Sequence, residues 1–234
     1  VVNCVISGND SGYGGGGAGC YGGGSLENCT IFDNTSALYA GGLYIRDIGS
    51  LNNCTVEGNS AVAAGGGVIV DGASVEINNC IVWNNTVSGV DNDIFVMVAG
   101  FIRNTCASDT VVEGVDGCTT SNPLFVDAAA GNYQLQPTSP CLNAGDDAYA
   151  PTNSTLYDLA GDPRIVFSAV DMGAYERQYL LSAYNGPYVG GNSITITNDV
   201  MGSGTDITNV TVGGVSATIT GQTASSVTIT LPST

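Results

Sequence analysis

The chain contains no lysine and no histidine. Its only cationic side chains are Arg46, Arg103, Arg164 and Arg177, set against 21 acidic residues for a formal charge of −17 over 234 residues. A surface of that sign repels nucleic acid and anionic membranes, so neither is an expected partner, while divalent cations are drawn to it. Without histidine or lysine the commonest proton-abstracting side chains are missing. Long apolar runs are missing too. The longest, Ile94 to Ile102, is too short to span a bilayer and reads as a buried strand, so membrane insertion is not expected. No stretch holds a 3.6-residue apolar stripe for three turns, which excludes a helical framework and leaves an all-β fold. No leader peptide is visible, and Val1 falls inside a repeat, so removal or truncation upstream is expected.

What the chain does have is an asparagine–cysteine pair repeated at an almost fixed interval. It stands at Asn3-Cys4, Asn28-Cys29, Asn53-Cys54 and Asn79-Cys80, with cysteine steps of 25, 25 and 26 residues. A further step of 26 reaches Cys106. Asn9, Asn34, Asn59 and Asn85 each follow a cysteine by five residues. Glycine runs at Gly14 to Gly17, Gly41-Gly42 and Gly65 to Gly67 lead into the apolar pairs Ala18/Cys20, Leu43/Ile45 and Val68/Val70, and Ile94/Val96 follows without glycines. Units of this length cannot bury an apolar face alone, so the period predicts a stacked solenoid over residues 1–121. Within each motif the parity is that of a strand: Cys29 and Ile31 point one way and Thr30 the other. Cys4, Cys29, Cys54, Cys80 and Cys106 are therefore expected in one inward column. Asn9, Asn34, Asn59 and Asn85 are expected to form a ladder of stacked amides, with neighbouring coils about 4.8 Å apart.

Asn28-Cys29-Thr30-Ile31, Asn34 and Gly41-Gly42 resemble the coils of right-handed parallel β-helix proteins, more narrowly the bacterial surface and secreted forms. The resemblance implies about five coils and an extracellular location. It does not imply an activity, because that fold carries lyases, hydrolases, adhesins and inert stalks alike. Its lyases use basic residues on acidic polysaccharides, and this chain has no lysine, no histidine and no arginine cluster. Residues 122–177 depart from the period. Asn122-Pro123-Leu124-Phe125, Ser139-Pro140-Cys141-Leu142-Asn143-Ala144-Gly145 and Asp171-Met172-Gly173-Ala174-Tyr175-Glu176 resemble, in order, the choice-of-anchor segment of bacterial β-helix surface proteins. That resemblance implies a segment that finishes the coil stack and performs no reaction. Asp158, Asp162, Arg164 and Asp171 are expected to form a buried cluster of opposite charges. Residues 178–234 alternate as half-buried strands, with Ile194/Ile196, Val210/Val212, Ala217/Ile219 and Val227/Ile229/Leu231 on one face. Gly190-Gly191-Asn192-Ser193-Ile194-Thr195-Ile196 and Val210-Thr211-Val212-Gly213-Gly214-Val215 resemble the IPT/TIG immunoglobulin-like domain, but a sandwich of that family continues with two more strands. An incomplete sandwich at one end and a coil opening at Val1 at the other lead us to expect either head-to-tail self-association into a stalk or filament, or cropping from a longer polypeptide.

Candidate sites are few. Asp91, Asp93, Asp109 and Asp116 are loop carboxylates suited to calcium, and no other cofactor is expected. Asp91/Asp93 and Asp146/Asp147 are the closest approach to the carboxylate pair of a glycosidase. Loop carboxylates are common in so acidic a chain, and no enzyme is expected. Cys118 and Cys141 lie off the ladder and are the candidates for a disulfide, since parallel Cβ vectors within the ladder disfavour one. Asn153 and Asn209 are the exposed glycosylation triplets. Tyr13, Tyr21, Tyr39 and Tyr44 could line a sugar groove on one face of the coil. The reading overall is a non-enzymatic extracellular structural and adhesive protein; the alternative is a carbohydrate-binding or polysaccharide-degrading module.

Overall fold

The computed structural model describes residues 1–111, 113–150, 157–165, 169–178, 193–197, 207, 210–212, 215–224 and 226–231. Its contacts divide the chain into two units, Val1–Arg177 and Gln178–Thr234.

The first unit is a parallel β-solenoid of about four turns. The first coil runs through β1 (Val5–Ser7), β2 (Asp10–Ser11), β3 (Ala18–Tyr21) and β4 (Ser25–Glu27). The second comprises β5 (Thr30–Phe32), β6 (Thr35–Ser36) and β7 (Leu43–Asn52), and the third β8 (Thr55–Glu57), β9 (Ser60–Ala61) and β10 (Val68–Asn78). The fourth holds β11 (Ile81–Trp83), β12 (Thr86–Val87), β13 (Val90–Asp91), β14 (Ile94–Val98) and β15 (Phe101–Arg103), after which β16 (Cys106–Ala107) opens a further turn. The strands stack into three sheets. The first has the order β1-β5-β8-β11-β16, the second β13-β12-β9-β6-β2, and the third β14-β10-β7-β3 with β4 and β15 beside β7 and β10. Every ladder is parallel except the β12–β13 hairpin, where Thr86 faces Asp91.

The expected interior is present. Cys29, Ile31, Leu43, Ile45, Cys54, Val56, Val68, Val70, Cys80 and Val82 are wholly buried in one core. Each such aliphatic side chain contributes roughly 1.5–3 kcal/mol by leaving water. The asparagine ladder closes a corner of that core. The Nδ2 of Asn9 donates to Asn34 Oδ1, Asn34 to Asn59 and Asn59 to Asn85, each at 2.9 Å. The backbone N–H of Asn9, Asn34 and Asn59 donates to the same acceptor oxygens at 3.0 Å. An amide suits this position because it both donates and accepts, so each rung satisfies the next. At the next corner the backbones run too close for a side chain: a Cβ on Gly41 would collide with the carbonyl of Ser60 in the coil above.

The structure corrects the column at its fifth member. Cys106 stands opposite Ile81, not Cys80, and Ala107 opposite Val82. The last step between coils is 25 residues, seen in Asn78 facing Arg103, so Thr105 takes the place above Cys80. A one-residue slip turns every side chain to the other face of the strand. Cys106 accordingly leaves the core and points outward.

Residues 122–177 do not continue the coil. They form β17 (Phe125–Asp127) and β18 (Asn132–Leu135), an antiparallel pair, followed by turns. These pack sideways on the first sheet through Leu135, Cys141 and Met172 against Ile81 and Cys106. In the second unit, β19 (Ser193–Thr197), β20 (Val210–Val212), β21 (Val215–Thr223) and β22 (Ser226–Thr230) form an antiparallel sheet of order β19-β22-β21-β20. Val227, Ile229 and Leu231 are buried there beside Ile194, Ile196, Ala217 and Ile219.

Candidate functional site

Two outward faces of the coil carry polar or aromatic side chains, and they differ in what meets them. On the first sheet each coil begins with an asparagine in the left-handed region: Asn28 (φ 50°), Asn53 (φ 48°), Asn79 (φ 54°) and Asn104 (φ 44°). Asparagine tolerates that conformation better than most residues. Here it also turns the side-chain amide outward while the next residue points in. Asn28 donates to Tyr157 O at 3.0 Å, Asn53 to Asp171 O at 3.4 Å and Asn104 to Ala144 O at 3.3 Å. Asn79 makes two bonds, donating to Asp146 O at 3.0 Å and accepting from Asp146 N–H at 2.8 Å. The asparagines of the repeat are thus hooks that hold the 122–177 segment along the side of the solenoid.

That covered face contains a cavity of about 320 Å³ lined by Glu57, Trp83, Asn84, Asn122 and Phe125. Glu57 is 7 % exposed. Its Oε2 accepts from the Tyr133 hydroxyl and its Oε1 from the Asn84 amide, both at 3.1 Å. Burial pushes its carboxyl above the usual range, against the lowering effect of those two hydrogen bonds. Tyr133 packs between Phe32 and Phe125, with centroids 5.3 Å away on each side. Sequence reasoning did not single out Glu57, Trp83 or Tyr133. Glu57 occupies an outward strand position, and only the later segment makes it buried.

The expected charge cluster is assembled differently from a set of ion pairs. Arg164 is buried, with its guanidinium donating to Asp171 O at 3.2 Å and to Gly173 O. Asp158, Asp171 and Glu176 are buried around it and turn their oxygens mainly to backbone N–H groups. Asp171 accepts from Asn143 at 2.6 Å and Arg177 at 2.7 Å. Asp158 accepts from Asp162 at 2.9 Å and from Glu176 at 2.8 Å. These carboxylates shape turns, as buried charges do when every lone pair is engaged.

The third sheet presents the tyrosines, and all four converge. Tyr13, Tyr21, Tyr39 and Tyr44 line one cavity of about 270 Å³ together with Arg46 and Met97. Tyr21 stacks on Tyr44 at 5.7 Å with an interplanar angle of 22°, and Tyr13 meets Tyr39 edge-on at 6.0 Å and 77°. Register explains the stacking. Gly19 stands directly below Tyr44 on the outward face, and its missing side chain leaves the space across which the Tyr21 ring folds, 2.6 Å from where a Cβ would be. Tyr44 donates its hydroxyl to Asp71 Oδ2 at 2.8 Å, and Arg46 Nε lies 3.7 Å from the same oxygen. Burial, followed by the bond to Asp71, pushes the Tyr44 phenol up to about 12. Tyr13 and Tyr21 are 71 % and 58 % exposed. Aromatic faces with a few convergent polar groups in a concave site are the usual composition of a small-molecule pocket, here at the lower end of the size range of about 300 Å³ upward.

The calcium candidates are occupied otherwise. Asp93 ends the asparagine ladder: Oδ1 accepts from Asn85 Nδ2 at 3.0 Å, and Oδ2 from Ser108 N–H at 2.9 Å and Ser108 Oγ at 2.6 Å. Asp109 Oδ1 accepts from the N–H of Asp93 and of Ile94 at 3.1 and 3.2 Å. Asp91 is exposed in β13, and Asp116 is exposed in the turn Val115–Gly117. Among the described residues no three acidic or cysteine side chains converge to hold a metal ion. Asp146 and Asp147 accept from Ala148 and Val170 N–H at 2.9 Å each, as turn caps. Cys118 and Cys141 are free thiols, and the cluster that holds Cys141 contains Cys106, not Cys118. Asn153 and Asn209 lie outside the described residues. Among the described residues no helix is long and apolar enough to cross a membrane.

Comparison of the chain with family models, with curated proteins and with solved structures gives no match. The fold and its exposed aromatic cavity therefore stand as the basis for a functional reading.

Proposed function

We propose that this chain is a non-enzymatic structural and adhesive protein of the extracellular surface, whose solenoid presents Tyr13, Tyr21, Tyr39 and Tyr44 as a binding site for a neutral sugar. The observation that carries the reading is the convergence of the four tyrosines, from two neighbouring coils, on one cavity. A pyranose ring offers an apolar face to an aromatic ring and hydroxyls to the Tyr44–Asp71–Arg46 group. A neutral sugar fits because the chain carries −17 overall, which opposes the approach of an anionic one. The β-helix gives the site rigidity, since each tyrosine is anchored on a strand or corner of a packed coil. Among the described residues no carboxylate pair lines this cavity, which supports binding over hydrolysis. The finer family resemblances, to choice-of-anchor and IPT/TIG proteins, are consistent with a surface location. The test is a glycan array followed by titration of the retained sugars. Retention of neutral glycans, lost in Tyr44→Ala, supports the reading; an empty array, or binding indifferent to Tyr44, refutes it.

A second reading, self-association, has its own observation. β14 is an outer strand of the third sheet, and Phe95, Met97 and Val98 on it are 38 %, 54 % and 45 % exposed. An apolar edge strand of this kind is a template for pairing with another chain. Sedimentation of the wild type against Met97→Lys tests it: a concentration-dependent oligomer that the charge abolishes supports the reading, and a monomer at all concentrations removes it.

A further inference from the structure

Among the eight cysteines, those of the inner column and the pair Cys106 and Cys141 occupy two kinds of site. In the inner column, Cys29, Cys54 and Cys80 each direct the thiol to the carbonyl two residues earlier, at 3.2, 3.2 and 3.1 Å. Their Cβ vectors run parallel from neighbouring rungs, an arrangement that disfavours a bridge. Cys106 and Cys141 differ. Cys106 points outward from β16 because of the one-residue slip, and Cys141 comes back at it from the 122–177 segment. Both are 0 % exposed and share one cluster with Ile81, Leu135 and Met172. Cys106 Sγ is 3.2 Å from Ser121 O, and the neighbouring Cys141 side chain, with burial, pushes the Cys106 thiol up. The pair is thus brought from two separate elements into one closed cluster.

We propose that Cys106 and Cys141 are a disulfide site, a covalent latch that fastens the 122–177 segment to the last coil when the chain matures in an oxidising compartment. The oxidant is a disulfide, either a small molecule such as oxidised glutathione or an exchange protein. One cysteine thiolate attacks a sulfur of that disulfide and expels a thiolate. The other cysteine then attacks the mixed disulfide, forming the Cys106–Cys141 bond and releasing the second thiolate. Two protons leave the protein and two electrons pass to the oxidant, which becomes two thiols. In the closed cluster the nearby Cys141 side chain and burial push the Cys106 thiol up and keep it protonated, so the exchange belongs to the folding chain, before the segment docks. Once docked, the bond is out of reach of soluble reductant. The inference uses the extracellular reading only for the source of oxidant; the meeting of the thiols is independent of the tyrosine site.

The experiment is to refold the whole chain in a glutathione redox buffer, denature it without reductant in the presence of an alkylating maleimide, and map the thiols by mass spectrometry. Trypsin would leave Cys106, Cys118 and Cys141 on one fragment, since no basic residue separates them; an Asp- and Glu-directed protease cuts between them. The expected result is a linked Cys106–Cys141 peptide pair, with the other six of the eight cysteines alkylated. Eight alkylated cysteines, or Cys118 joined to Cys141, overturn the proposal. As a second measurement, Cys141→Ser should lower the thermal midpoint of oxidised protein to that of the reduced wild type. An unchanged midpoint in that variant refutes the latch, and if the variant does not fold, the thiol map of the wild type decides alone.

Discussion

The first and third sheets are built by the same coils at the same spacing, yet one outward face is covered and the other is bare. On the first sheet the outward positions are Thr55, Ile81 and Cys106 in one row and Phe32, Glu57 and Trp83 in the next. The chain covers them with its own segment, hooked on by Asn28, Asn53, Asn79 and Asn104. On the third sheet Tyr21, Phe95 and Met97 remain exposed, and glycine at position 19 makes room for ring stacking. A protein that can cover one apolar face and leaves another open is displaying it. If the open face binds sugar as proposed, stability and recognition are divided between faces, and mutations should separate them.

The largest effect is expected on the covered face. Asn79→Ala removes two hydrogen bonds to Asp146 and puts a Cβ residue without a compensating amide at φ 54°. Lost bonds and backbone strain together should cost about 2–4 kcal/mol. Asn79→Gly, which relieves the backbone, should recover part of that. Urea titration followed by the fluorescence of Trp83, the single tryptophan, reports on this unit, and a loss below about 0.5 kcal/mol would show that the hooks do not hold the segment. On the open face, Tyr44→Ala should weaken sugar binding at least tenfold, about 1.4 kcal/mol, while leaving Trp83-monitored stability nearly unchanged. Tyr44→Phe keeps the ring and loses only the bond to Asp71, so it should fall between. A Tyr44→Ala protein that binds normally but unfolds early would reverse the assignment of the two faces. A smaller effect is expected from Tyr133→Phe, which leaves the ring between Phe32 and Phe125 and deletes the bond to Glu57. That should cost about 1 kcal/mol in the same titration, with no change in sugar affinity.

How much of this was legible follows from which residues repeat. Cys29, Cys54 and Cys80 announce the column, and Asn34, Asn59 and Asn85 the ladder, because a solenoid writes its register into the sequence. Strand parity made Tyr44 legible as an outward position, while Tyr13, Tyr21 and Tyr39 were legible only as candidates for the same face of the coil. The slip at Cys106 was not, because aligning cysteines hides it. Aligning Asn79 with Asn104 would have shown a step of 25 and put Thr105 in the column. The docking of residues 122–177 on the side of the coils was hidden for a different reason. The hooks are the same asparagines that start each strand, and nothing in their spacing distinguishes a solvent-facing amide from one awaiting a partner. The end of the ladder at Asp93 was missed likewise: a loop aspartate reads as a calcium ligand until its neighbours Asn85 and Ser108 are known.

Acid should sharpen the contrast between the faces, with the smallest effect of the set. On the covered face, burial raises the carboxyls of Glu57 and Asp171, the latter from 3.8 to about 6. In the window between those values the folded state holds protons that the unfolded chain has released. Stability from this source is therefore fully present below about pH 4 and is lost as pH rises through about 6. Lowering the pH from 7 to 5 should stabilise the first unit by up to about 1 kcal/mol, seen as a higher urea midpoint of Trp83 fluorescence. Protonation of surface carboxylates relieves self-repulsion in the same direction, so the specific part must be isolated. Asp171→Asn should flatten the pH dependence over this window, whereas an exposed control such as Asp47→Asn should not. Sugar binding at the open face should stay constant over the same range, because the Tyr44 phenol, pushed up to about 12, keeps its proton throughout. An affinity that falls in step with the urea midpoint would mean that the two faces are coupled through the coil.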